Sequence, residues 1–326
     1  MNNDPALTNS GYQIDQILGG RYRILSVLGK GGMGIVLRVE QIFIGKEFAL
    51  KTIDKNLLSE VTIRRFKQEA KATFAVSHPN IISVNDFGLL DDETPFMVME
   101  IVSGKTLSTR LKETTSLPIE DAIPIFIQVC FGLAHAHESG IVHRDIKPSN
   151  IMLPDPTQTP AGTVKILDFG IAKFTQDGGE SQALTKTGEI FGSPLYMSPE
   201  QCSGSNVDHR SDVYSLGCVL FETLTGTPPF IGETALSTMM KHQSAPIPTL
   251  KEASLGGEFP KDLERMMQAM LAKNPNERYQ NLGVTAHDLS SIINSEGQAK
   301  LVKSIPVSAP IQKKSNRAIT ISRNTF

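Results

Sequence analysis

Hydrophobic and polar positions alternate over three stretches early in the chain, Tyr22 to Leu28, Gly34 to Gln41 and Glu47 to Ile53. A period of two marks half-buried strands, and the glycine-bearing turns between them predict a small antiparallel sheet. From Thr62 to Val76 the period becomes three and four, with Phe66, Ala70, Thr73 and Phe74 as the apolar face. A helix packed on that sheet is expected, stopping before His78-Pro79-Asn80. The same period returns after Pro118 through Ile119, Ala122, Ile123, Phe126, Cys130, Leu133, Ala134 and His137, closing at Gly140. That is a long core helix with a glycine at its C′ position. Pro124 inside it predicts a kink or a later start, since an interior proline costs about 3 kcal/mol. Ser211 to Leu224, Leu236 to Gln243, Pro260 to Ala272 and Val284 to Asn294 read as further helices, so the second half is mainly helical.

Composition narrows the class. The 326 residues are 40% hydrophobic and 20% charged, enough for two packed lobes or one large domain with a tail, and unlike a disordered chain. A net charge of −2 gives no bulk attraction to nucleic acid or anionic lipid. From Ser295 onward six basic residues stand against Glu296 alone, a tail of +5 that leaves −7 for the rest. Cys130, Cys202 and Cys218 form no C-x-x-C, as suits reduced packing thiols in a cytosolic protein. Met1 to Ser10 lacks a secretory signal pattern, and no apolar run approaches the roughly 18 residues that cross a bilayer. A cytoplasmic chain without a membrane span is expected.

The chemistry sits in four motifs. Gly29-Lys30-Gly31-Gly32-Met33-Gly34-Ile35-Val36 places a glycine-rich turn between two strands, where a bare backbone can approach a polyphosphate. A strand follows, not the helix a dinucleotide fold needs. In Phe48-Ala49-Leu50-Lys51, alternation puts Ala49 and Lys51 on one face, a small residue and a cation suited to a flat ring and its phosphates. His143-Arg144-Asp145-Ile146-Lys147-Pro148-Ser149-Asn150 gathers a base, a cation and an amide ligand within eight residues. Asp145 can accept a hydroxyl proton, Lys147 can neutralise a transferring phosphoryl group, and Asn150 can ligate a hard cation. An apolar strand from Val164 to Leu167 then ends at Asp168-Phe169-Gly170, a second carboxylate for phosphate-bound magnesium.

These motifs, in this order, resemble the protein kinase family, specifically the eukaryotic-like (Hanks-type) serine/threonine kinases of bacteria. The resemblance spans about Tyr22 to Asn294 and implies an α+β, two-lobed kinase-like fold. It would have a polar leader (1–21), a kinase domain (22–294) with a sheet-plus-helix lobe (22–100), a hinge (100–104) and a mainly helical lobe (105–294), and a basic flexible tail (295–326). It implies transfer of the γ-phosphoryl group of ATP to protein Ser or Thr, with Mg²⁺, or Mn²⁺ in its place. Leu28, Gly29, Gly31 and Gly34 would cover the nucleotide, with Val36, Ala49 and Met152 around adenine. Lys51 would hold the α- and β-phosphates and pair with Glu69 rather than Glu60. Met99 would sit at the back of the pocket, with backbone groups near Glu100 and Val102 bonding adenine. Asp145 is the implied base, and Asn150 and Asp168 the implied metal ligands.

Lys147, together with Gly192-Ser193-Pro194-Leu195-Tyr196-Met197-Ser198-Pro199-Glu200, resembles the serine/threonine branch. Ser193 keeps a hydroxyl able to bond Asp145 or Lys147. Glu200 and Arg278 look like the buried ion pair holding the peptide-docking segment, and Asp212 should brace the loop around Asp145. Arg144 implies an activation segment ordered by phosphate. Thr185 and Thr187 resemble autophosphorylation sites, which implies a homodimer for phosphorylation in trans. Glu189, eleven residues before Glu200, is a rival carboxylate that mimics the phosphate. A nucleotide-sensing pseudokinase would lack the base, a metal ligand or the phosphate lysine, and none is missing. A small-molecule kinase would lack the docking segment. The stretch from Pro154 to Gly162 reads as an exposed connector without assigned function.

Overall fold

The computed structural model describes residues 11–31, 34–53, 58–155, 162–169 and 193–295. Its first part is a six-stranded antiparallel sheet with a helix on one side. In chain order the elements are β1 (Ile17–Leu18), β2 (Tyr22–Gly31), β3 (Gly34–Gln41), β4 (Lys46–Ile53), α1 (Glu60–Phe74), β5 (Val84–Leu89) and β6 (Pro95–Met99). The strands lie in the order β1-β2-β3-β4-β6-β5. The three alternating stretches appear as β2, β3 and β4. In β3 the period is visible in burial, with Ile35, Leu37 and Val39 enclosed and Arg38 exposed. Leu37, Leu50, Phe96 and Val98 pack on one face, while Ala49, Ile53, Met97 and Met99 meet Phe66 and Ala70 of α1 on the other.

Two features depart from the pattern. Phe74 is 55% exposed and meets Phe87 of β5 edge to face, ring centroids 5.7 Å apart. At 100° per residue it lies about 80° from Phe66, at the margin of the apolar stripe. Strands β5 and β6 escape the periodicity, because all five positions of β6 are buried and β5 carries Asp86 and Gly88.

The larger part follows with β7 (Gly104–Thr106), α2 (Leu107–Thr114), α3 (Ile119–Glu138), β8 (Ile151–Pro154), β9 (Lys165–Ile166), α4 (Pro199–Ser203), α5 (Arg210–Thr225), α6 (Ala235–Ser244), α7 (Leu250–Ala253), α8 (Lys261–Met270) and α9 (Leu282–Ser295). Strands β7, β8 and β9 form a small second sheet. Helices α3 and α5 centre the core, with Phe126, Leu133, Tyr214 and Phe221 fully enclosed. The expected later start of α3 is not found: the helix begins at Ile119 and continues through Pro124. Proline there removes only the bond to the carbonyl of Glu120, an exposed first-turn residue. By length and composition alone α3 passes for a membrane-crossing helix, but half of that stretch is buried inside the protein. Its apolar residues are those of the core itself, Ala122 to Ala136.

Gly132 lets α3 pass close to β9. A β-carbon there would stand 2.7 Å from Ile166 Cδ1 and 3.2 Å from Asn80 Cβ.

Candidate active site

The cleft between the six-stranded sheet and the helical part collects the motif residues. Strands β2 and β3 pair from Tyr22 opposite Gln41 to Gly31 opposite Gly34, and the turn at residues 32–33 lies outside the described residues. The glycines have different reasons. At Gly34 a β-carbon would overlap the Thr52 carbonyl of β4, so its bareness serves strand packing. At Gly29 a β-carbon would meet nothing within 4 Å, which leaves open space beside the hairpin. Leu28 is 49% exposed. Ala49 and Met99 are paired across β4 and β6 and share one apolar cluster with Val36, Val102 and Leu167. Met152 of β8 lies outside that cluster, opposite Thr106 and Lys165.

Lys51 stands on the Ala49 face of β4, as alternation requires. Its Nζ is 2.7 Å from Glu69 Oε1 on α1 and 2.8 Å from Asp168 Oδ1 beyond β9. Glu60 lies at the start of α1, so Glu69 is the partner. Burial alone would lower the Lys51 pKa, but the Asp168 and Glu69 carboxylates reverse this and hold it above the ordinary lysine range. Burial would likewise raise Asp168, yet Lys51 keeps it below the usual carboxylate range. The cation and its acid are thus both charged at neutral pH.

The Glu100 side chain ties the segment after β6 to the larger part. Its carboxylate takes Lys165 Nζ of β9 at 2.7 Å and the Ser83 N–H at 2.8 Å, while its N–H donates to the Ser83 carbonyl. Both carboxylate contacts fall on Oε1 and tie the side chain to β9 and to Ser83.

The loop bearing Asp145 is held from behind. Asp212, buried on α5, accepts the N–H groups of His143 and Arg144 at 2.8 Å each and His137 Nε2 at 2.7 Å. Burial would raise the Asp212 pKa, but the His137 hydrogen bond and charge hold it below the carboxylate range. His143 Nε2 lies 2.9 Å from the Leu167 carbonyl, and its Nδ1 lies 3.3 Å from the Asp145 N–H. A carbonyl only accepts, so Nε2 carries the proton and Nδ1 accepts. The ring is neutral, and burial, outweighing Asp212, lowers its pKa. Phe169 packs on this ring, centroids 4.7 Å apart. Arg144 adopts a left-handed φ of 65° and Asp168 one of 43°, conformations that cost a non-glycine residue about 1 kcal/mol each. Arg144 Nε is buried without a hydrogen-bond partner among the described residues. Thr185, Thr187 and Glu189, which the sequence reading couples to Arg144, lie outside the described residues.

Around Asp145, Lys147 Nζ reaches Oδ2 at 2.9 Å, and Asn150 Nδ2 bonds the Asp145 carbonyl at 2.9 Å and Oδ2 at 3.4 Å. The turn Pro148–Asn150 fixes these positions. With Nδ2 so engaged, Asn150 offers Oδ1, and Asp168 offers the oxygen that does not bond Lys51. An amide oxygen and a carboxylate oxygen suit a hard cation such as magnesium, so the side chains present fit the implied metal.

Behind the segment Ser193 to Glu200, Arg278 is buried and satisfies all five of its N–H donors. They go to Glu200 Oε1 and Oε2 at 2.7 and 2.8 Å and to the carbonyls of Ala272, Arg210 and Lys273. Ser211 Oγ also donates to Glu200, and burial, which would raise the Glu200 pKa, is overcome by Arg278. The Ser193 hydroxyl bonds neither Asp145 nor Lys147, because Lys147 addresses Asp145 directly.

Three side chains that position this site carry no obvious sequence mark. Gln201 donates to the Arg144 carbonyl at 2.9 Å, and its one signal is the capping box it forms with Ser198. Asn80 bonds the Val164 carbonyl and Gln128, and its carbonyl accepts the Ile166 N–H, holding β9 just ahead of Asp168. Lys165 anchors Glu100.

Residues 22–290 match the family model described as protein kinase domain. Over 261 residues the chain is 41% identical to the serine/threonine-protein kinase pkn3 of Myxococcus xanthus, covering 79% of this chain and 47% of that protein. It is 38% identical over 283 residues to the serine/threonine-protein kinase PrkC of Bacillus subtilis, covering 86% and 41%. The chain spans less than half the length of these relatives. The crystal structure of the Mycobacterium tuberculosis PknI kinase domain has the same fold, with a TM-score of 0.66 at 23% identity over 86% of this chain and 99% of that one.

Proposed function

Because the chain belongs to the protein kinase family, in the Hanks-type branch of its bacterial serine/threonine kinase relatives, we propose that it transfers the γ-phosphoryl group of ATP to Ser or Thr hydroxyls of proteins. The observation that carries this reading is the Lys51 ammonium paired at once with Glu69 and Asp168, across the cleft from Asp145, Lys147 and Asn150. Adenine lies among Leu28, Gly29, Val36, Ala49 and Met152, with Met99 behind it and main-chain bonds near Glu100 and Val102. Lys51 holds the α- and β-phosphates. Asn150 and Asp168 would hold magnesium, or manganese in its place, which spreads and neutralises the phosphate charge. Asp145 orients the acceptor hydroxyl and takes its proton, while Lys147 offsets charge on the transferring group. Ser193 to Glu200, braced by Arg278, receives the acceptor peptide.

Thr185 and Thr187 are the proposed autophosphorylation sites, modified in trans in a homodimer, with Arg144 receiving the phosphate. Glu189 is the rival. If it substitutes for the phosphate, Thr185→Ala/Thr187→Ala stays active and Glu189→Ala does not.

The test is transfer of labelled phosphate from Mg-ATP to a generic basic protein. Asp145→Asn should lower the rate about 10²- to 10⁴-fold, the usual contribution of a positioned base, with nucleotide affinity retained. Folded protein showing neither nucleotide binding nor transfer would overturn the reading.

A further inference from the structure

Helices α8 and α9 line a cavity of about 390 Å³. Met266 and Ile292 form its floor at 5% and 3% exposure, and the Tyr279 ring is half-buried in its wall. The rim is polar: Asp262 pairs with exposed Arg265, and Asp288 accepts the Tyr279 hydroxyl at 2.9 Å. No residue of this cavity takes part in the site described above. Ile292 lies one helical turn before Ser295, where α9 ends.

We propose that this cavity docks the chain segment that follows α9, with Leu301 and Val302 entering the apolar floor. Three properties choose that occupant. The segment reads Lys300-Leu301-Val302-Lys303, two apolar side chains bracketed by two cations, which complements an apolar floor rimmed by Asp262 and Asp288. Its charge is of the right sign overall, since residues from Ser295 onward carry +5 against −7 for the rest. It is also within reach, because Glu296-Gly297-Gln298-Ala299 supplies four residues and a glycine for the reversal, at about 3.3 Å per extended residue. Tethering makes docking intramolecular, at an effective concentration on the order of millimolar, so a weak contact suffices. The exposed Asp262–Arg265 pair holds its carboxylate only loosely and leaves it open to a lysine.

Zero-length carbodiimide coupling of the full chain, followed by peptide mapping, tests this directly. Lys300 or Lys303 should couple to Asp262 or Asp288 within one chain, and at least tenfold less in Leu301→Asp/Val302→Asp. Raising the salt should lower the yield. Coupling spread evenly over surface carboxylates, yields unchanged by the double substitution, or links solely between heavy- and light-isotope chains would each overturn the proposal, the last in favour of a second copy as occupant.

Discussion

Arg278 shows how much one side chain can commit. All five of its donors are used, two of them on Glu200, in a place where the Arg278 side chain is fully enclosed and that of Glu200 nearly so. Removing one ion of such a pair strands the other, at a cost of about 3–5 kcal/mol. Arg278→Met should therefore lower unfolding free energy by that amount, and the added Glu200→Leu should restore a large part of it, as chemical denaturation will read. The side chains proposed to do chemistry are legible in the sequence, because Asp145, Lys147, Asn150 and Asp168 stand out by type and spacing. Gln201, Asn80 and Lys165 are not, because each serves distant main chain or a distant carboxylate, and an amide or lysine in a sequence names no partner.

At the scale of elements, period and burial agree in β3, and part company at β6, where neither face meets solvent, and at β5, where Phe87 and Leu89 are the exposed positions. Gly34 belongs to the hairpin by packing: Gly34→Ala drives a methyl into the Thr52 carbonyl. It should weaken β3–β4 pairing and raise the KM for ATP through displacement of the hairpin, whereas Gly29→Ala, which meets open space, should leave the melting temperature nearly unchanged. Phe126 on α3 is fully enclosed in the larger core, and Phe126→Ala should cost about 3–5 kcal/mol by urea unfolding. Pro124 teaches a narrower lesson, that a proline rule written for helix interiors softens when the orphaned carbonyl sits on an exposed first turn.

For the whole molecule, acid sensitivity follows from histidines buried in neutral form. His242, fully enclosed beside Tyr214, has its pKa lowered to about 4 by burial and by the Lys273 cation, with the Pro194 and Leu195 carbonyls opposing only in part. The unfolded chain takes up its proton near pH 6.5, so stability is lost as pH falls from about 6.5 to about 4 and is constant for this group above that window. The loss amounts to about 3 kcal/mol, and His242→Gln should flatten that part of a plot of melting temperature against pH. The two-part architecture is legible from the motifs. The ties between the parts are not, since they run through backbone groups that a sequence does not distinguish.

Those ties decide how the cleft can gape. The Ile82 N–H donates to the Ile166 carbonyl, and the Ile166 N–H to that of Asn80, so residues 80–82 travel with the helical part although they follow α1. Rocking of the sheet then bends the backbone at two plies, Ser83 and Ile101 to Ser103, laminated by the Ser83–Glu100 bonds. Glu100→Ala removes the side-chain half of that lamination and leaves the main-chain bond, and should quicken deuterium uptake at Ser83 and broaden the spread of interlobe distances read by paired spin labels.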